Sequence, residues 1–129
     1  MRSRWSLLVL AVLLVAAASH VLGASLFSFD VWMRKVDHRS IDVQHAIAAH
    51  DPASAGVAAQ DLETLYDQMA QYLDEHDLAA AAALARDDVA RAQAIQQRLA
   101  QADYEAAEQQ AVAITQGCNG CHRRYRPLD

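Results

Sequence analysis

Apolar residues recur along this chain at alternating steps of four and three residues, and this repeat constrains the fold more than any other feature. It occurs in four segments, at about residues 27–50, 57–75, 78–101 and 104–126. Such spacing aligns apolar side chains on one face of an α-helix, which turns about 100° per residue. With only four glycines and two prolines in 129 residues, few positions favour the tight turns between strands. The pattern therefore predicts an all-α fold with four amphipathic helices.

Four amphipathic helices with short connections favour an antiparallel four-helix bundle, because the apolar faces can then share one core. The residues expected to face that core are, helix by helix, Phe29, Met33, Val36, Ser40, Val43 and Ile47; Ala58, Leu62, Leu65, Met69 and Tyr72; Leu78, Ala82, Ala85, Val89, Ala92, Ile95 or Gln96, and Leu99; and Tyr104, Ala107, Ala111 and Ile114.

Proline, glycine and aspartate mark the expected connections between the helices. Asp51-Pro52 is expected to end the first helix, because the residue before a proline disfavours the helical conformation. Residues 52–56 are then predicted to form the longest loop of the domain. Asp77 is the expected N-cap of the third helix, and Asp103 marks the boundary before the fourth.

The first residues have the three-part pattern of a secretory signal peptide. A short basic start precedes an unbroken apolar run over residues 7–18, and small residues follow at Gly23 and Ala24. The run is shorter than the roughly 20 apolar residues that a membrane-spanning helix needs. We therefore expect a signal peptide at residues 1–23, a mature domain at residues 24–129, and export to the periplasm. An uncleaved membrane anchor is the alternative.

The segment Cys118-Asn119-Gly120-Cys121-His122 carries the candidate chemistry, because C-x-x-C-H is the short signature of covalent haem attachment. On a helix, the two thiols and the imidazole project from one face within about one turn. We therefore expect one haem c on the inward face of the C-terminal helix. Cys118 and Cys121 would form its thioether bonds, and His122 would be the proximal iron ligand.

Other uses of a C-x-x-C pair suit the chain less well. A redox-active dithiol normally lies in a thioredoxin-like pattern with strands, and the sequence predicts none. A structural zinc site needs four ligands, and the chain has no second cysteine pair. A plain disulfide would leave His122 facing the core without a role. A dithiol, a disulfide and zinc remain as alternatives to haem.

The end of the chain, C-N-G-C-H-R-R-Y-R, resembles the signature of class II c-type cytochromes, the cytochrome c-prime family. Members are exported four-helix bundles whose last helix bears C-x-x-C-H-x-x-(Tyr/Phe)-Arg near its end. The likeness is close over the motif and general over the helical architecture. It implies that Tyr125 packs near the haem edge and that Arg126 lies beside the proximal imidazole or a propionate.

The resemblance also implies two functions, which differ at the sixth coordination position of the iron. A methionine from the first helix gives a six-coordinate electron carrier, and an apolar residue there gives a five-coordinate haem that binds nitric oxide or carbon monoxide. Met33 is the candidate distal ligand, with ordinary core packing as its alternative role, and Met69 is a second candidate. We expect a periplasmic monohaem electron carrier with protein redox partners; a gas-binding protein is the alternative.

Enzymatic activity and nucleic-acid binding are not expected. His38 and His45 lie opposite the apolar stripe of the first helix, so both are predicted to face solvent, and no distal His–Arg pair of a peroxidase is evident. The net charge of −5 argues against nucleic acid and favours basic partners. Members of the resembling family are often dimers, so a homodimer is among the expectations.

Overall fold

A computed structural model of the chain describes residues 25–125. Four α-helices account for most of them: α1 (Leu26–Ala48), α2 (Pro52–Glu75), α3 (Ala79–Ala100) and α4 (Tyr104–Tyr125). This part of the chain contains no β-strand, which confirms the predicted all-α fold and the number of helices. None of these four helices has a stretch apolar enough, over sufficient length, to span a membrane. The predicted signal peptide and Arg126 lie outside the described residues.

The four helices pack in chain order around a bundle, and α4 closes it by returning to α1. Three-residue connections make successive helices antiparallel. Side-chain contacts give the register: Arg39 Nε lies 2.8 Å from Asp61 Oδ2 between α1 and α2. Between α1 and α4, Gln44 Nε2 donates to Thr115 Oγ1 at 2.9 Å. Packing is most extensive between α2 and α3 and least extensive between α1 and α4.

The core consists largely of the residues that the apolar repeat predicted. The largest fully buried side chains come from all four helices: Ile47, Leu62, Ile95, Ile114 and Val43. Two residues that were predicted to face the core from the third helix differ from the prediction. Leu78 precedes the helix and is 40% exposed, and Val89 is only half-buried. Asp88, rather than Val89, occupies the buried position of that turn.

The predicted loop at residues 52–56 is wrong, because α2 begins at Pro52. Proline suits the first turn of a helix, where its missing N–H would have no partner within the helix. Asp51 caps this helix: its Oδ1 accepts from the Ser54 N–H at 3.0 Å, and its Oδ2 accepts from the Ser54 hydroxyl at 2.6 Å. These hydrogen bonds from Ser54 lower the pKa of Asp51.

Asp77 is not the N-cap of α3, contrary to the prediction. Leu78 occupies that position, and no side chain caps the helix. Asp77 instead adopts a left-handed conformation with φ of 59°, which a short polar side chain tolerates. The boundary predicted at Asp103 is confirmed, since its Oδ1 accepts from the Ala106 N–H in the first turn of α4 at 3.1 Å.

A left-handed residue turns the chain in each of the three connections. These residues are His50, Asp77 and Ala102, with φ of 53°, 59° and 56°. Histidine and aspartate are enriched in this region of backbone space, whereas the Cβ of alanine makes it unfavourable. Ala102 therefore holds a conformation better suited to glycine.

We expect Ala102→Gly to raise the free energy of unfolding by about 0.5–1 kcal/mol, because glycine relieves the steric cost of the positive φ. Ala83→Gly is the matched control: Ala83 is exposed inside α3, where glycine costs about 1 kcal/mol. Urea denaturation followed by circular dichroism measures both. Equal destabilisation by the two variants would contradict the proposed strain at Ala102.

Candidate functional site

The C-x-x-C-H motif lies in the last turns of α4, which remains helical through the motif to Tyr125. At about 100° per residue, His122 is rotated about 40° from Cys118 around the helix axis, and Cys121 is rotated about 60° in the opposite sense. The two sulfur atoms and the imidazole therefore leave one arc of about 100° at one end of the bundle.

Contacts of neighbouring residues identify the helices that each side of this arc faces. Thr115 hydrogen-bonds Gln44 of α1, and His122 lies about 20° from Thr115 around the axis. On the other side, a Cβ on Gly117 would lie 3.6 Å from both carboxylate oxygens of Asp88 in α3. Cys121, about 40° from Gly117, shares this α3 side. The imidazole thus lies on the side of α4 nearest α1, and Cys121 on the side nearest α3.

Burial of the motif differs in part from the prediction. Cys118, Cys121 and Tyr125 are half-buried, and Tyr125 packs against the core, but His122 is exposed. The prediction that the whole motif faces inward is therefore wrong for His122. The reason is that α1 packs less extensively against α4 than α3 does. The side of α4 that carries His122 faces α1 and is therefore less covered than the side that faces α3.

Tyr66 of α2 crosses the core to the first cysteine. Its phenol oxygen lies 3.9 Å from Cys118 Sγ, and the Cys118 thiol also lies 3.4 Å from the Ile114 carbonyl oxygen. Tyr66 is 4% exposed, and this burial raises the pKa of its hydroxyl far above the ordinary range. Sequence analysis missed Tyr66, although a helical step of four from Leu62 leads to it.

An ion pair between a buried carboxylate and a half-buried arginine lies on the α3 side of the motif. Asp88 is 7% exposed, and its Oδ1 accepts from Arg91 Nη1 at 2.5 Å. Burial raises the pKa of Asp88, and Arg91 opposes that shift. Sequence analysis missed this pair, yet steps of three and four from Ala85 through Asp88 to Ala92 would have indicated a carboxylate at a core position.

The surroundings of the two thiols disfavour their ionised form. Burial is the main cause that raises the pKa of both Cys118 and Cys121, and the negative charge of Asp88 raises both further. Redox-active C-x-x-C motifs have the opposite property, because a lowered thiol pKa supplies the reactive thiolate. This environment therefore weighs against the dithiol alternative.

The register of α1 against α4 defines which residues face His122. Gln44 of α1 and Thr115 of α4 are joined by a hydrogen bond, and the two helices run antiparallel. Seven residues from this bond toward the motif end, Asp37 in α1 is therefore approximately level with His122 in α4. Burial is the main cause of the raised pKa of Cys118, and the charge of Asp37 adds to it. Val36 and Ser40 lie beside this level, and both are buried, at 2% and 7% exposed.

Met33 is half-buried at the edge of the core, one helical turn from Asp37 and so about 6 Å farther along the axis. Its neighbours Phe29 and Trp32 pack against Tyr72 of α2, with ring centroids 4.9 and 6.4 Å from the tyrosine ring. Met69, the second candidate for the distal ligand, is buried in α2. Met33 thus borders an aromatic cluster beyond the level of His122.

His38 and His45 are both exposed on α1. This confirms the prediction that these two histidines face solvent rather than the core.

The residues at this end of the bundle fit a covalently attached haem. Two thiols and an imidazole at this helical spacing suit two thioether bonds and one iron ligand, since the porphyrin supplies the other nitrogens. Within residues 25–125, no group of three or more His, Cys, Asp or Glu side chains could hold a metal ion directly. Ser40 Oγ is buried without a hydrogen-bond partner in this same region, although a buried hydroxyl normally needs one.

Comparison of the chain with protein-family models, with curated proteins and with solved structures finds no match. The resemblance to class II c-type cytochromes therefore stays a prediction that rests on the motif residues. The structure itself establishes an all-α four-helix bundle.

Proposed function

We propose that this chain is a periplasmic monohaem c-type cytochrome that transfers electrons. One haem c is bound through thioether bonds to Cys118 and Cys121, and His122 is the proximal iron ligand. The observation that carries the proposal is the unbroken helix through C-x-x-C-H, which has two half-buried thiols and an exposed imidazole on one arc at a bundle end. Export follows from the predicted signal peptide at residues 1–23.

Each residue of the site has a distinct role in this proposal. Cys118 and Cys121 fix the haem to α4, and His122 donates a ring nitrogen to the iron. Bound haem supplies an iron that accepts or releases one electron, without any bond of a substrate being broken. The buried surroundings of Cys118 exclude water from one side of the site, and a low dielectric influences the reduction potential. By the resemblance, Tyr125 would pack near the haem edge, and Arg126 would lie beside the proximal imidazole or a propionate.

Electron transfer is proposed rather than enzymatic catalysis because His38 and His45 are exposed on the outer face of α1 and do not suit a distal acid–base group. The net charge of −5 favours redox partner proteins with basic surfaces and does not favour nucleic acid. The proposal includes a homodimer only because members of the cytochrome c-prime family, which the motif resembles, are often dimers.

Binding of nitric oxide or carbon monoxide is the second candidate function, and the register of α1 favours it. Val36 has no atom that binds iron, and the Ser40 hydroxyl is a weak ligand. Along the helix axis, Val36 and Ser40 lie nearer the level of His122 than Met33 does, since Met33 is about 6 Å from that level. If Met33 does not reach the iron, the haem is five-coordinate and open to a small gas.

We expect the double variant Cys118→Ser plus Cys121→Ser to lose haem completely on a denaturing gel stained for haem, because no thioether bond can form. The control His122→Ala keeps both thiols. It is expected to retain covalent haem on the same gel with an altered absorption spectrum. Haem that stays with the double variant after denaturation would contradict covalent attachment.

A second experiment separates electron transfer with Met33 as ligand from gas binding at an open site. If Met33 binds the iron, the ferric protein has the weak long-wavelength band of thioether ligation, Met33→Ala abolishes it, and Met69→Ala retains it. If the site is open, the band is absent and the reduced wild-type protein binds carbon monoxide rapidly. A band that survives Met33→Ala would exclude Met33 as the distal ligand.

A further inference from the structure

The Asp88–Arg91 ion pair adjoins the motif, and the proposed function has so far given it no role. The two carboxylate oxygens of Asp88 lie 3.6 Å from the Cβ position of Gly117, which directly precedes Cys118. Arg91 Nη1 lies 3.9 Å from the same position. The pair therefore packs directly against the helical turn that carries the first thiol.

Core stability alone gives a poor reason to keep a carboxylate at this position. The side chain of Asp88 is 10% exposed, and that of Arg91 is 35% exposed. Removing a carboxylate from water is costly, and replacement of a buried ion pair by apolar residues is often neutral or stabilising. Asp88 also has only one ion-pair partner in the described chain, Arg91. A role outside core packing would account for the buried charge.

A buried charge acts on its surroundings more strongly than a surface charge. In the interior the effective dielectric is lower than in water, and salt screens buried charges much less. The adjacent Asp87 carries the same charge but is exposed, so water and salt weaken its influence. The two aspartates therefore carry the same charge but differ in burial and, by about 100°, in direction around α3.

We propose that the buried Asp88 carboxylate lowers the reduction potential of the haem attached at Cys118 and Cys121, an inference that rests on the proposed function. Reduction adds one electron, supplied by the redox partner, and forms or breaks no bond. The oxidised iron carries one more positive charge than the reduced iron, so a nearby anion stabilises the oxidised state. Arg91 holds the carboxylate in position and partly offsets its charge.

A potentiometric titration of the purified haem protein at pH 8 tests this role. Asp88→Asn is close in shape and removes the charge, so its midpoint potential is expected to lie above that of the wild type. Asp87→Asn removes an exposed charge and is expected to leave the midpoint potential nearly unchanged. Equal shifts in the two variants, no shift in Asp88→Asn, or a downward shift would overturn the proposal.

Arg91→Gln supplies a second arm that does not depend on the folding of Asp88→Asn. It removes the positive partner, so the midpoint potential is expected to fall while the Asp88 carboxylate stays ionised. Because Arg91 also opposes the rise in the pKa of Asp88, the titration is made at pH 8 and again at a more alkaline pH. A potential that is unchanged or raised at both pH values would overturn the proposal. Haem staining of a denaturing gel distinguishes this outcome from failure of the proposed function. A wild-type chain without covalent haem refutes the cytochrome, whereas haem-bearing variants without the expected shifts refute only the role of Asp88.

Discussion

Burial of four apolar stripes against one another is the interaction on which the other features of this molecule depend. Helices of 22 to 24 residues gain most of their stability from packing an apolar face. Many buried residues of α2 and α3 are alanines, whose small side chains allow two helix backbones to approach closely. The fully buried examples include Ala55, Ala59, Ala82 and Ala92.

The same packing is unequal around the bundle, and this inequality shapes the candidate site. The α2–α3 interface is the most extensive and the α1–α4 interface the least. The final turns of α4 therefore have one well-covered side, where Cys121 faces α3, and one thinly covered side with the exposed His122. A flat group attached to α4 would displace fewer packed side chains on the α1 side, where packing is less extensive. This is also the side on which the imidazole lies.

Polar groups in the interior concentrate near the motif. Tyr66, Asp88 and Ser40 are all buried, and Ser40 Oγ has no hydrogen-bond partner within residues 25–125. Tyr66 and Asp88 adjoin the C-x-x-C segment directly. Residues that break the local rules of core composition are expected at functional or strained sites rather than at random. Their position at one end of the bundle supports a functional reading of that end, independently of the motif.

The apolar repeat predicted the helices and most of the core, because a period near 3.6 residues depends only on the local sequence. It gave α2 the wrong start, since Pro52 breaks a helix in its interior but suits its first turn. It missed Asp88 because a carboxylate is rarely assigned to a core position. The exposure of His122 and the contact of Tyr66 with Cys118 depend on how the helices pack, which periodicity within one helix does not describe.

The central claim is that one haem is joined covalently to this chain. The most direct test is the intact mass of the protein under denaturing conditions, after expression with its own N-terminus in a host that attaches haem c. The account predicts the mass of a polypeptide that begins near residue 24 plus the mass of one haem. The mass of the polypeptide alone, with Cys118 and Cys121 as free thiols or joined in a disulfide, would contradict it.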